Sequence, residues 1–333
     1  MAKIDLTEKE NFMMAYNHGI PAWVPNFEDA YCPLPGSCIN NKGVPGVGGP
    51  DMFGSKWICT KETEWMATPD PKAPPVIEDI TEWKDVIHFP KMSEMDWEGA
   101  AARDLANADR NKMIVVTGME GNYNRLGALM GTTEALMAMI EEPEAVYEWF
   151  DAYTNFKCEH IKMYAKYYKP DIYINPDDIC FNAGCMFSRR TYEELIKPFE
   201  MRLGQTAIDC GMIVEHHLCG KCEDLIPDIL ETGATIWQTA QPVNDLLLIK
   251  EKYGDRLLIN GGWNSIGPHN SANVTEEELR QEVRNMLDKY AKDGNYSLFQ
   301  VIIGDPSDPR TDFRHFWVRD ECKKYSMQMY GTI

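Results

Sequence analysis

The sequence predicts an α/β fold: a (β/α)8 barrel of the TIM type, one domain over residues 1–333 with an N-terminal extension and a long loop. Three observations carry this. Short β-branched apolar runs alternate with amphipathic helical stretches, which implies right-handed βαβ units and a parallel sheet. The strand ends are polar, as at the working face of a barrel. No G-x-G-x-x-G or Walker pattern follows any strand, which argues against a doubly wound nucleotide binder.

In order, residues 5–18 read as a helix with Thr7 as N-cap. Pro21 to Pro25 reads as a first short strand. Residues 32–54 are rich in Gly and Pro, and a loop of that length in a compact chain is usually a lid or binding loop. Residues 56–66 and 83–89 carry Trp57, Trp65 and Trp83 and are expected to cover one barrel end. Strands are predicted at 112–117, 171–174, 212–214, 234–239, 256–260 and 296–303. Helices are predicted at 131–140, 142–167, 189–210, 221–232, 244–253, 275–292 and 311–329. Thr275 with Glu278 forms a capping box. Seven strands are legible, and the eighth is expected within residues 50–90.

The composition, 44% hydrophobic and 26% charged, suits a globular chain, and the net charge is −19. That charge argues against nucleic-acid or anionic-membrane partners and suits a small-molecule enzyme. No apolar run approaches the ~20 residues of a membrane span. Residues 1–20 lack the apolar core of a signal peptide, so a cytoplasmic location is expected. Ten cysteines in such a compartment are thiols or ligands.

The predicted strand ends are Glu120, Asp177-Asp178, His216-His217-Cys219, Gln238, Asn260-Trp263 and Asp305. His217 and Cys219 stand two apart. On an extended backbone they point to the same side, and an imidazole beside a thiolate is half of a zinc site.

The chain resembles the uroporphyrinogen decarboxylase superfamily, and within it the cobamide-dependent methyltransferases. The resemblance covers nearly all of the chain and is strongest over 118–264. It rests on Leu129-Met130-Gly131 with Met137 and Pro143-Glu144, on Pro170-Asp171-Ile172 to Asp177-Asp178, and on Tyr192, Glu194 and Pro198. It continues through His217-x-Cys219-Gly220, Glu231-Thr232-Gly233-Ala234 and Leu257 to Gly262. It implies a single (β/α)8 barrel with its site at the C-terminal ends of the strands. In the methyltransferase branch zinc is held by His-x-Cys and a later cysteine. Here the last strand's end reads Ile302-Ile303-Gly304-Asp305-Pro306, with no cysteine, and neither Cys222 nor Cys322 matches. A donor set with less sulfur is harder and suits activation of oxygen. Asp305 is taken as third metal ligand beside His217 and Cys219, with Glu120 and Asp178 as the other candidates. The spacing of Asp178, Glu194 and His217 also resembles that of ether-cleaving members.

The resemblance therefore implies demethylation of a small methyl ether, a methoxylated aromatic, with the methyl passing to Co(I) of a separate corrinoid protein. The chain has no Asp-x-His-x-x-Gly motif of its own, so the cobamide is expected on that partner. Asp178, His216 and Glu120 are the expected catalytic groups. Trp263, Trp237, Phe181, Met186 and Asn260 are expected to bind substrate, zinc is the expected metal, and a homodimer is a compatible assembly. The alternatives are methyl transfer from a methylated corrinoid protein to a thiol or folate, and a non-catalytic corrinoid or tetrapyrrole binder. A uroporphyrinogen-type decarboxylase fits worst: no arginine precedes Arg103, and clamping several carboxylates needs guanidinium groups.

Overall fold

The computed structural model describes residues 5–302, 304–305 and 307–332. Its centre is a parallel ladder of seven strands: β1 (Tyr31–Pro33), β2 (Met113–Thr117), β3 (Ile172–Pro176), β4 (Ile213–His217), β5 (Ile236–Gln238), β6 (Leu258–Gly262) and β7 (Tyr296–Phe299), paired in chain order. These strands are buried on both faces. Runs such as Met113–Val116 are therefore apolar throughout, as a sheet covered by helices requires.

The ladder curls toward closure. Asn26 bridges Leu298 of β7 in parallel, and the Leu298 amide donates to the Pro25 carbonyl at 2.8 Å. The seam between this segment and β1 is covered by the one-turn helix Phe27–Ala30, whose Phe27 ring packs on Tyr31 and Phe299 at 4.7 and 4.8 Å. The predicted barrel is thus present as a single (β/α) unit with seven laddered strands. The eighth strand is not within residues 50–90: that region forms a small antiparallel sheet of Gly48–Pro50, Lys56–Ile58 and Thr68–Pro69. The expected strand at Pro21–Pro25 reaches the ladder only through the bridge at Asn26.

The helical layer follows prediction closely at Glu8–Tyr16, Pro143–Tyr167 and Glu276–Tyr290; Thr7 caps the first of these, and the capping box of Thr275 with Glu278 is formed. Three differences matter. Asn122–Met130 is an additional helix. The stretch 189–210 is two helices, Arg189–Leu195 and Lys197–Asp209, parted before Pro198, which cannot donate an amide. The last strand stops at Phe299, and of its predicted extension Ile303 lies outside the described residues. Among the described residues no helix is long and apolar enough to cross a membrane.

Candidate metal centre and its cavity

Strand register builds the site. Pro176 of β3 faces His217 of β4, and His217 faces Gln238 of β5. The residues just beyond those ends, Asp178 and Cys219, therefore meet. One ligand atom from each of Asp178, His217 and Cys219 lies within 4.8 Å of the other two. Cys219 Sγ is 3.8 Å from His217 Nε2, and His217 Nε2 is 4.0 Å from Asp178 Oδ1. A tetrahedral zinc with bonds of about 2.0–2.3 Å needs ligand atoms roughly 3.3–3.6 Å apart, so small side-chain movements close the set. The Cys219 amide donates to Asp178 Oδ1 at 3.0 Å, tying the two strand ends together. Gly220 lets the chain turn away: its φ is +83°, and a Cβ there would meet the Cys180 carbonyl at 2.8 Å.

The surroundings suit a cation. His217 Nδ1 is 2.6 Å from Gln238 Oε1, an acceptor, so Nδ1 carries the proton and Nε2 is free to face the carboxylate and thiol. Burial opposes charge on His217. The hydrogen bond to Cys219 and the nearby Asp178 outweigh it and push its pKa up to about 10. A site that draws a proton onto a half-buried imidazole lacks positive charge, which a divalent metal supplies directly.

Asp178, His217 and Gln238 line a cavity of about 400 Å³, together with Phe27, Leu34, Met119, Tyr164 and Phe299 among others. That volume is in the range of small-molecule sites, about 300–1,000 Å³. Glu120 lines it and pairs with Lys42 at 2.6 Å. The Lys42 segment belongs to the long loop, which Arg125 anchors: its guanidinium pairs with Asp51 and donates to Asn41 Oδ1 at 2.7 Å. Among the described residues no arginine lines the cavity.

Several expected residues stand elsewhere. Asp305 is not with the metal trio: its Oδ1 accepts from Ser307 N and Oγ at 2.8 and 2.7 Å, and Asp178 takes the third place. The reason is distance along the chain, because β7 ends at Phe299, six residues earlier. His216 alternates away from His217, as strand geometry demands. It sits in the helical layer with Nε2 3.7 Å from Glu200, and burial pushes its pKa down to about 3. Glu194 is on the surface, paired with Arg190.

None of the five expected substrate contacts lines the cavity. Trp237 is buried in the outward layer, its indole N–H donating to the Leu218 carbonyl. Trp263 donates to Asn270. Phe181 is exposed on a hairpin, and Met186 follows that hairpin. Asn260 lies within the barrel, donating to Glu215 at 3.0 Å. Sequence reasoning missed Phe27, Phe299, Tyr164, His160 and Lys42, which reach the cavity from a seam helix, a strand end, a long helix and the loop. Phe299, at a strand end, and Lys42, within the Gly- and Pro-rich loop, carried a usable signal.

The uroporphyrinogen decarboxylase (URO-D) family profile matches residues 58–298. Among solved structures, a methyltransferase from Methanosarcina mazei is similar over 96% of this chain and 99% of its own, with TM-score 0.68 and 13% identity. That likeness concerns the fold. A sugar phosphate isomerase/epimerase from Parabacteroides distasonis aligns over 68% of this chain and 90% of its own, at TM-score 0.33 and 10% identity, too low to inform the fold. No curated protein matches.

Proposed function

This chain belongs to the uroporphyrinogen decarboxylase family, and we propose that within it the chain is a methyltransferase. It would demethylate a methoxylated aromatic and pass the methyl to the cobalt of a cobamide on a separate corrinoid protein. The observation that carries this reading is the Asp178, His217 and Cys219 trio, whose Asp178 and His217 line an aromatic-walled cavity. One carboxylate, one imidazole and one thiolate fit zinc, and they form a harder set than two thiolates and an imidazole would. Bound there, zinc supplies a Lewis acid for an ether oxygen, a poor leaving group.

The chain's own residues do the rest. Gln238 holds the His217 tautomer. Phe27, Phe299 and Tyr164 offer faces and edges for an aromatic ring and exclude water. Lys42 and Glu120, donor and acceptor on the cavity wall, serve the proton that the departing phenolate takes up. Asp178 thus serves as ligand, and His216, turned outward, has no part. The fold's likeness to a methyltransferase agrees with this reading. The described lining contains no arginine, which speaks against a polycarboxylate substrate.

The test is phenol release from a panel of methoxylated aromatics, dependent on added Co(I) cobamide. Asp178→Asn is expected to lower kcat/KM at least about 100-fold, chiefly in kcat, as loss of a Lewis-acid ligand implies. Equal damage to KM and kcat would sink the assigned role of Asp178. No phenol from any substrate would sink the reading.

A further inference from the structure

A second reactive pair sits beside the metal loop and has no part in the reading above. Cys180 and Cys185 are direct partners in a short antiparallel hairpin, Cys180–Phe181 against Gly184–Cys185, closed by Asn182 and Ala183. The Met186 amide donates to the Ile179 carbonyl at 2.9 Å. That bond sets the ladder's phase: Cys180 and Cys185 occupy the non-hydrogen-bonded position between two hydrogen-bonded pairs. At such a position Cα atoms are about 4.5 Å apart and the side chains turn toward one another. A disulfide needs Cα atoms about 4.4–6.8 Å apart. The pair thus meets the requirement at its short end, where the bond is strained and readily reduced.

The two thiols differ in access. Cys180 is buried, while Cys185 is half-buried beside the exposed hairpin tip. The hydrogen bond from Cys180, the Phe187 and Met186 amides and Arg189 lower the pKa of the Cys185 thiol, against the effect of burial. A low-pKa accessible thiol beside a buried partner is the arrangement of a peroxide-sensitive pair. The hairpin also backs the metal loop: the Lys221 amide donates to the Phe181 carbonyl at 3.0 Å, and Gly220 passes closely over Cys180.

We propose that Cys180 and Cys185 are a redox modification site, forming a reversible disulfide on exposure to a peroxide. The Cys185 thiolate attacks one peroxide oxygen and the O–O bond breaks. Hydroxide or alkoxide leaves and takes up the proton that the Cys185 thiol released, giving water or alcohol, and Cys185 becomes a sulfenic acid. Cys180 sulfur then attacks Cys185 sulfur, the S–O bond breaks, and the departing hydroxide takes the Cys180 proton as water. Two thiols lose two electrons in all, and the peroxide gains them. A dithiol reverses the bond by exchange. In the oxidised form the segment following Asp178 is tied to the far arm of the hairpin, directly beneath the Cys219 loop.

The test needs no methyl transfer. The full-length protein is treated with one equivalent of hydrogen peroxide, alkylated, digested with trypsin and mapped without reduction. Cleavage after Lys166 and Arg189 gives one peptide holding these two cysteines and no others. That peptide is expected to lose both alkylation sites together and two hydrogens in mass, with both effects reversed by dithiothreitol. Cys185→Ser abolishes the mass loss, and Cys222→Ser leaves it intact. Full alkylation of both cysteines after peroxide would overturn the proposal. So would a link from Cys180 to Cys219 or Cys222, or accumulation of oxidised Cys185 beside a free Cys180.

Discussion

The hydrogen bond between His217 Nδ1 and Gln238 Oε1, 2.6 Å long, orients the only imidazole of the trio. An acceptor that holds the far nitrogen of a ligand imidazole is worth about 10–100-fold in metal affinity. Gln238→Leu is therefore expected to weaken zinc binding by that factor in a chelator competition, while Gln238→Glu restores it; equal affinities for wild type and the Leu variant would remove the role. His160 carries a pH prediction. Burial, with help from Lys157, pushes its pKa down to about 3. Between the ordinary histidine value of about 6.5 and that value, the unfolded chain binds a proton that the folded chain refuses. Stability then falls with falling pH, by up to about 1.4 kcal/mol per unit. His160→Gln should show a shallower loss between pH 7 and 5 in urea titrations, and an unchanged slope would contradict it. At this scale the sequence was readable where one strand sufficed: His217 and Cys219 share a face by simple alternation. Asp178 against Asp305 depended on how far β7 runs, which no local pattern reports. Trp237 was misplaced although alternation bears on it, since Gln238 faces the cavity and its neighbour must face the helices.

The long loop is a structural element in its own right. The ion pair between Arg125 and Asp51 is fully buried, and Asp51 also accepts the Trp57 indole N–H at 2.8 Å. Removing one partner strands a buried charge. Arg125→Met should cost about 3–5 kcal/mol in denaturant unfolding, and the double variant Arg125→Met/Asp51→Leu should recover part of it. A loss below about 1 kcal/mol would show the pair to be dispensable. The loop was legible from its Gly and Pro content, and Leu34, Asn41 and Lys42 do line the cavity. Its anchor was not. Arg125 lies on Asn122–Met130, a helix that starts with Asn-Tyr-Asn and contains Gly127, poor signals for a helix. The two-helix break before Pro198 was visible in principle, because proline removes an amide donor.

For the molecule as a whole, alternation of strand and helix announced the barrel, and the parallel ladder bears it out. The closure was hidden because it rests on one bridge at Asn26 and on aromatic packing at Phe27 rather than on a full strand. The metal trio joins the ends of two adjacent strands, so binding there stabilises the folded chain alone. Zinc at 100 times its dissociation constant should add about 2.7 kcal/mol, read as a rise in Tm that His217→Ala abolishes. The net charge of −19 makes association with a basic partner surface salt-dependent.

Metal content on wild type and His217→Ala, by elemental analysis after exhaustive desalting, tests whether Asp178, His217 and Cys219 hold a metal. One zinc per chain is expected in the wild type and none in the variant. Wild-type protein that holds no metal, or a variant that retains it, would contradict the assignment of Asp178, His217 and Cys219 as a metal centre.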